Sequence, residues 1–167
     1  MPNYCENDLY VTGPEEQINK FLEKGFTASA YVPKPNIELL IKEFQSIPPY
    51  EQKKWINGPN TELADAAEHY WFNNGGYWWC VNNWGTKWDW EVISTQDYKK
   101  TGKKLTFDTA WSPPLPVVIA ASKEFPLIRF TLKYFEAGMG FCGTFSCKNG
   151  ETIKDETRNN YRGKRGG

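Results

Sequence analysis

The chain predicts an α+β fold, and three patterns carry that prediction. An alternating strand at the N-terminus runs directly into a helix signal. Two strand-like segments between residues 88 and 111 lead into a second helix signal. Two further strands follow, at 127–135 and 141–147. The order is β–α–(insert)–β–β–α–β–β. It describes a ferredoxin-like antiparallel sheet with two helices on one face, a helical insertion and an extra edge strand.

Each element has a local reason. From Asn3 to Thr12, residues Cys5, Asn7, Leu9 and Val11 fall on one face, and Tyr4, Glu6, Asp8 and Tyr10 on the other. Gly13-Pro14 ends this strand, and Pro14 with Glu15 and Glu16 opens a helix, since acids favour a helix N-terminus. Ile18, Phe21 and Leu22 form its apolar stripe, and Gly25 stops it. Prolines 33, 35, 48, 49 and 59 punctuate the insertion at about 26–74, with helical patterns at Ile37–Phe44 and Glu62–Phe72. Asn73-Asn-Gly-Gly76 reads as a turn or a helix C-cap. Trp88–Ser94 is expected as a strand with Trp88, Trp90 and Val92 on one face, then a polar turn at Tyr98–Lys104. Leu105–Trp111 is the next strand. Ser112 is expected to cap a helix running to about Glu124. In Leu127–Phe135, Ile128, Phe130, Leu132 and Tyr134 point to the core, with Arg129, Thr131 and Lys133 opposite. Phe141–Cys147 is the final strand. A single domain over 1–150 is expected, with 151–167 as a basic C-terminal tail.

The totals exclude several classes. The 167 residues suit one domain with a real core, and an aromatic fraction of 16% excludes a disordered chain. Lys+Arg and Asp+Glu are both 20, so net charge gives no drive toward nonspecific nucleic-acid or membrane binding. The N-terminus lacks the features of a secretory signal, and no apolar run is long enough to span a bilayer. A soluble protein in the cytoplasm is expected. Cys5, Cys80, Cys142 and Cys147 are then expected as free thiols, mostly buried. Cys142-Gly-Thr-Phe-Ser-Cys147 has the wrong spacing for a zinc knuckle, so no metal or cofactor is expected.

Six of the eight tryptophans lie between Trp71 and Trp90. Between these rings stand Asn82, Asn83, Thr86 and Lys87. Rings beside amides, a hydroxyl and an ammonium suit a nucleotide: Trp84 and Trp88 stacking on bases, the amides and Thr86 reading edges, Lys87 meeting phosphate. The competing reading is an aromatic core with Gly85 at a structural turn. Arg129, Thr131 and Lys133 recur at strand spacing away from the helices, joined by Tyr4 and Tyr10 if the parity of the first strand holds. The alternative there is an ordinary solvated face. Arg158, Tyr161 and Arg162 of the basic tail are candidates for gripping phosphates. His69, at the end of an Ala/Glu-rich helical pattern, reads as a surface or capping residue. No nucleophile elbow, phosphate loop or paired-carboxylate motif is present, so the protein is not expected to be an enzyme.

Four blocks resemble a known family. Met1-Pro-Asn-Tyr-Cys-Glu-Asn-Asp-Leu-Tyr-Val-Thr-Gly13, Asn83-Trp-Gly-Thr-Lys-Trp-Asp89, Phe107-Asp-Thr-Ala-Trp-Ser-Pro-Pro-Leu-Pro116 and Tyr134-Phe-Glu-Ala-Gly-Met-Gly-Phe-Cys-Gly143 are similar to the YubB-type ferredoxin-like proteins of phages and plasmids. That family more often has tryptophan where this chain has Tyr4. The resemblance implies the fold and a mobile-element origin, and no firm activity.

The resulting expectation is a non-catalytic phage or mobile-element protein that binds a small anionic nucleotide, such as a cyclic nucleotide immune signal of the host. A homo-oligomer would enclose such a pocket. The alternatives are an inhibitor that docks on a host defence protein, and a binder of single-stranded nucleic acid.

Overall fold

The computed structural model describes residues 3–34, 36, 46, 48 and 77–159. The helical patterns expected at 37–44 and 62–72 and the turn at 73–76 lie outside them. The described elements are β1 (Tyr4–Thr12), α1 (Glu15–Lys24), α2 (Ala28–Tyr31), α3 (Tyr77–Trp84), β2 (Ser94–Tyr98), β3 (Gly102–Ala110), α4 (Leu115–Glu124), β4 (Arg129–Glu136), β5 (Phe141–Lys148) and β6 (Glu151–Asn159).

The six strands form one antiparallel sheet in the order β2-β3-β1-β4-β5-β6. β1 lies between β3 and β4: the first helical crossover leaves it for β2, beyond β3, and the second runs from β3 past it to β4, which is the interleaved ferredoxin-like arrangement. Its alternation decides which face is covered. Cys5, Leu9 and Val11 are buried beneath the helices, together with Phe107, Phe130 and Leu132 of the neighbouring strands. Phe21 of α1 joins the layers, meeting Phe130 at 5.3 Å, Phe26 at 5.7 Å and Phe125 at 5.7 Å between ring centroids. Asn7 shares this apolar face and is satisfied, donating to the Cys5 carbonyl at 2.8 Å and to Thr109 Oγ1 at 2.9 Å.

Three local expectations are corrected. The strand expected at 88–94 begins only at Ser94. The Asp89 carboxylate accepts from the N–H groups of Ala28 (2.6 Å), Ser29 (3.0 Å) and Trp90 (2.9 Å), tying this stretch to the start of α2. Ser112 does not cap the second long helix, which starts at Leu115 after Pro114. Its hydroxyl donates to the Gly85 carbonyl at 2.5 Å instead. Residues 151–159, expected as tail, form β6, so the extra strand β5 is covered and β6 is the edge. The β5–β6 turn is Asn149-Gly150, with φ of 51° and 78°, the left-handed pair that a two-residue hairpin needs.

All four cysteines are free, and Cys5, Cys80 and Cys147 are buried. Burial pushes the Cys5 thiol up to about 12 and raises those of Cys80 and Cys147, which keeps all three protonated and unreactive at neutral pH. Among the described residues no helix is long and apolar enough to cross a membrane.

Candidate ligand site on the open sheet face

The tryptophan block divides into core and surface. α3 carries Trp79 and Trp84, whose rings meet edge to face at 5.5 Å. Both are buried, and the Trp84 indole N–H donates to the Val32 carbonyl at 2.7 Å. Trp90 is buried too, stacked on Phe107 at 5.2 Å. Thr86 is buried and donates to the Ala110 carbonyl at 3.0 Å, while Asn83 donates to the Trp79 carbonyl one helical turn back. Trp84, Thr86 and Asn83, expected to hold a ligand, therefore use their groups inside the fold. Asn82 is exposed on α3. Trp71, His69, Tyr161 and Arg162 lie outside the described residues.

Trp88 remains at the surface with Trp111, and Lys87 stands between them. Its ammonium lies 5.3 Å from the Trp88 ring centroid and 5.0 Å from that of Trp111. Trp111 has φ of 69°, unusual for a bulky residue, and its N–H donates to the Asn3 carbonyl at 2.9 Å. Tyr4 pairs with Ala110, the residue before Trp111. Exposures of 51% for Tyr4, 38% for Trp88 and 44% for Trp111 mark an aromatic end of the molecule.

The opposite end of the open face is concave. Strand register places Tyr10, Lys104, Thr131 and Ser146 in one row, and Thr12 beside Arg129 in the next. A depression of about 560 Å³ is lined by Tyr10, Tyr98, Arg129, Thr131, Lys133 and Lys154, with Thr12, Lys99, Thr144 and Ser146 completing it. Small hydroxyl residues make its floor because long side chains flank them. Ser146 Oγ bonds Thr131 Oγ1 at 2.9 Å, and Tyr98 meets Tyr10 edge-on at 4.7 Å.

The charges around this basin are unevenly paired. Lys104 bonds Asp8 at 3.1 Å and Lys154 bonds Glu156 at 2.9 Å. Among the described residues no carboxylate lies within ion-pair distance of Lys99, Arg129 or Lys133. Three cations around a hydroxyl floor form a receptor for a compact anion. Toward the aromatic end, Asp8 and then the directly opposed Glu6 and Asp108 follow on the same face. About 20 Å of strand separates Tyr10 from Tyr4. Tyr4, Lys87 and Trp88 are therefore not brought together with Arg129. Arg158 sits in the Glu6 row of the sheet, away from the basin.

Of the ligand-binding residues expected from the sequence, Arg129 lines the basin, beside Thr131, Lys133 and Tyr10, which share its face. Sequence reasoning missed Tyr98, Lys99 and Lys154. The first two fall in a stretch whose composition suggests a polar turn, and the third in one that suggests a tail. The Asn149-Gly150 pair was the signal that could have found Lys154, since it announces a hairpin.

The comparisons with known proteins concern this same sheet. Residues 84–162 match the ferredoxin-like domain in Api92-like protein. That stretch contains β2 to β6, including the basin residues Tyr98, Lys99, Arg129, Lys133 and Lys154. The fold is also similar to the crystal structure of a protein api92 from Yersinia pseudotuberculosis, with a TM-score of 0.57 and 12% identity. That likeness covers 95% of this chain and 99% of the other. No curated protein matches the chain.

Proposed function

We propose that the protein is a non-catalytic binder of a small anionic nucleotide, held in the basin on the open sheet face. The observation that carries this reading is the set of Lys99, Arg129 and Lys133 around a hydroxyl-lined depression of about 560 Å³. That volume suits a ligand of mono- or dinucleotide size. Arg129 supplies a fork for phosphate, Lys99 and Lys133 supply point charges, and Thr131, whose oxygen already accepts from Ser146, keeps its hydroxyl proton for a ribose or phosphate oxygen. The acidic row formed by Glu6 and Asp108 works against a long nucleic-acid strand crossing the face, so the small ligand is preferred over single-stranded nucleic acid.

The YubB-type resemblance adds a phage- or plasmid-borne origin to this reading, with the host cytoplasm as its place. A cyclic nucleotide that signals infection is then the natural ligand, and sequestration the outcome. An oligomer of identical subunits would close the open side of the basin.

A thermal-shift screen against cyclic di- and trinucleotides, mononucleotides and short oligonucleotides tests this. Ligand at a hundredfold over its dissociation constant stabilises by about 2.7 kcal/mol, well within reach of a melting curve. The expected result is a shift with small nucleotides that Arg129→Gln removes. A flat screen overturns the proposal. A shift seen only with oligonucleotides, collapsing steeply with salt, would favour strand binding.

The exposed rings of Tyr4, Trp88 and Trp111 support a second reading, a surface that docks on a host defence protein. Aromatic anchors held by a rigid frame dominate such contacts. Capture of one host protein that Trp88→Ala together with Trp111→Ala abolishes would support it.

A further inference from the structure

We propose that the basin reads the phosphate groups of its ligand and is indifferent to the base, so its ligand class is a phosphate-rich anion carrying two or more charges. This rests on the basin being the ligand site. The argument is what already occupies the tyrosine rings. Tyr10 lies on β1, and a lysine approaches it from the strand on either side. Lys104 on β3 stands 5.8 Å from its ring centroid, and Lys133 on β4 stands 5.6 Å away. Tyr98 also meets this ring, edge-on at 4.7 Å. Tyr98 in turn carries Lys99 at 5.2 Å. These rings already carry ammonium groups, so a base that stacks on the faces they occupy must first displace a cation.

The same contacts explain how Lys99 and Lys133 can be held in one basin with no carboxylate partner among the described residues. Lys133 leans on Tyr10, Lys99 leans on Tyr98, and Lys104 is neutralised by Asp8 at 3.1 Å. A ring leaves an ammonium's N–H donors free, so Lys133 and Lys99 can meet a phosphate oxygen from where they stand over Tyr10 and Tyr98. Arg129, with no ion-pair partner among the described residues, completes the set. In the floor, Thr131 and Thr144 offer hydroxyl donors while Ser146 donates to Thr131, and the three present no flat apolar surface. Charge and hydroxyls thus provide the recognition, and nothing described in the basin distinguishes one base from another.

Titration calorimetry at constant ionic strength, with inorganic tripolyphosphate, ATP, GTP and adenosine as probes, tests this. Tripolyphosphate, ATP and GTP should bind with affinities within about threefold of one another, and adenosine should give no heat. Lys133→Met and Arg129→Gln should each weaken tripolyphosphate and ATP together by about tenfold or more, a charge-assisted contact being lost. Lys20→Ala, on the remote surface of α1, should change neither. Binding of nucleotides without binding of tripolyphosphate would overturn the inference and leave the nucleotide reading standing. Binding of none of the probes would count against both. Tripolyphosphate binding that survives both basin variants would place the anion elsewhere and overturn the inference.

Discussion

The tryptophan-bearing segment and the open sheet face make opposite use of their residues. Around α3 the side chains that look chemically busiest, Trp84, Asn83 and Thr86, spend their polar groups on the Val32, Trp79 and Ala110 carbonyls. On the open face, residues typical of any solvated strand surround a concave site, because five strands bring their long and short side chains into register. Aromatic density therefore measures how much surface a segment has to bury. The arrangement of unpaired charge measures what it is free to bind.

This contrast can be broken most sharply at Trp84. Trp84→Ala should cost about 3–5 kcal/mol, as for other large-to-small changes of a buried aromatic, read from urea denaturation. Retained stability with lost nucleotide affinity would instead make the tryptophan block a binding surface. At Arg129 the expectation reverses. Arg129→Gln should leave stability within about 0.5 kcal/mol of the parent while affinity for a phosphorylated ligand falls about tenfold or more, measured by calorimetry. Equal loss of stability would mean that Arg129 is structural.

Lys87→Ala sharpens the boundary between the two regions. It removes a cation from between Trp88 and Trp111, for a stability loss of about 0.5–1 kcal/mol. Nucleotide affinity should not change, because the lysine belongs to the aromatic end. A drop in affinity would join the two ends into one site.

The smallest effect concerns pH. Burial holds the Cys5 thiol up to about 12, against an ordinary value of 9.0. Above about pH 9 the unfolded chain releases a proton that the native state keeps, so stability falls as pH rises toward 12. Cys80, Cys147 and Tyr134 are raised in the same direction, chiefly by burial. Cys5→Ala should therefore flatten the alkaline decline of stability only in part, as seen by comparing denaturation at about pH 8 and about pH 10. An unchanged slope would mean that Cys5 ionises as readily folded as unfolded.

Much of the framework was legible in the residues themselves. The strict alternation of β1 and of Ile128–Tyr134, the Pro14-Glu15-Glu16 start and the Gly25 stop of α1 are local signals. Hydrophobic period and backbone geometry decide them within a few residues. The strand at 88–94 was misplaced because Trp88, Trp90 and Val92 alternate correctly by themselves. The competing Asp89 contacts come from Ala28 and Ser29, far away in the chain. β6 was missed because Glu151–Asn159 is exposed throughout and has no buried face to impose a period.

The sequence by itself determined the order of most elements and which residues of β1 and β4 face the core, because each strand records its own two sides. Only the tertiary structure decided that Tyr10, Tyr98, Lys99, Arg129, Lys133 and Lys154 share one basin, and that Trp84 and Thr86 do not line it. Those facts depend on strand order and register across five strands. They are properties of long-range pairing, which no local pattern of residues encodes.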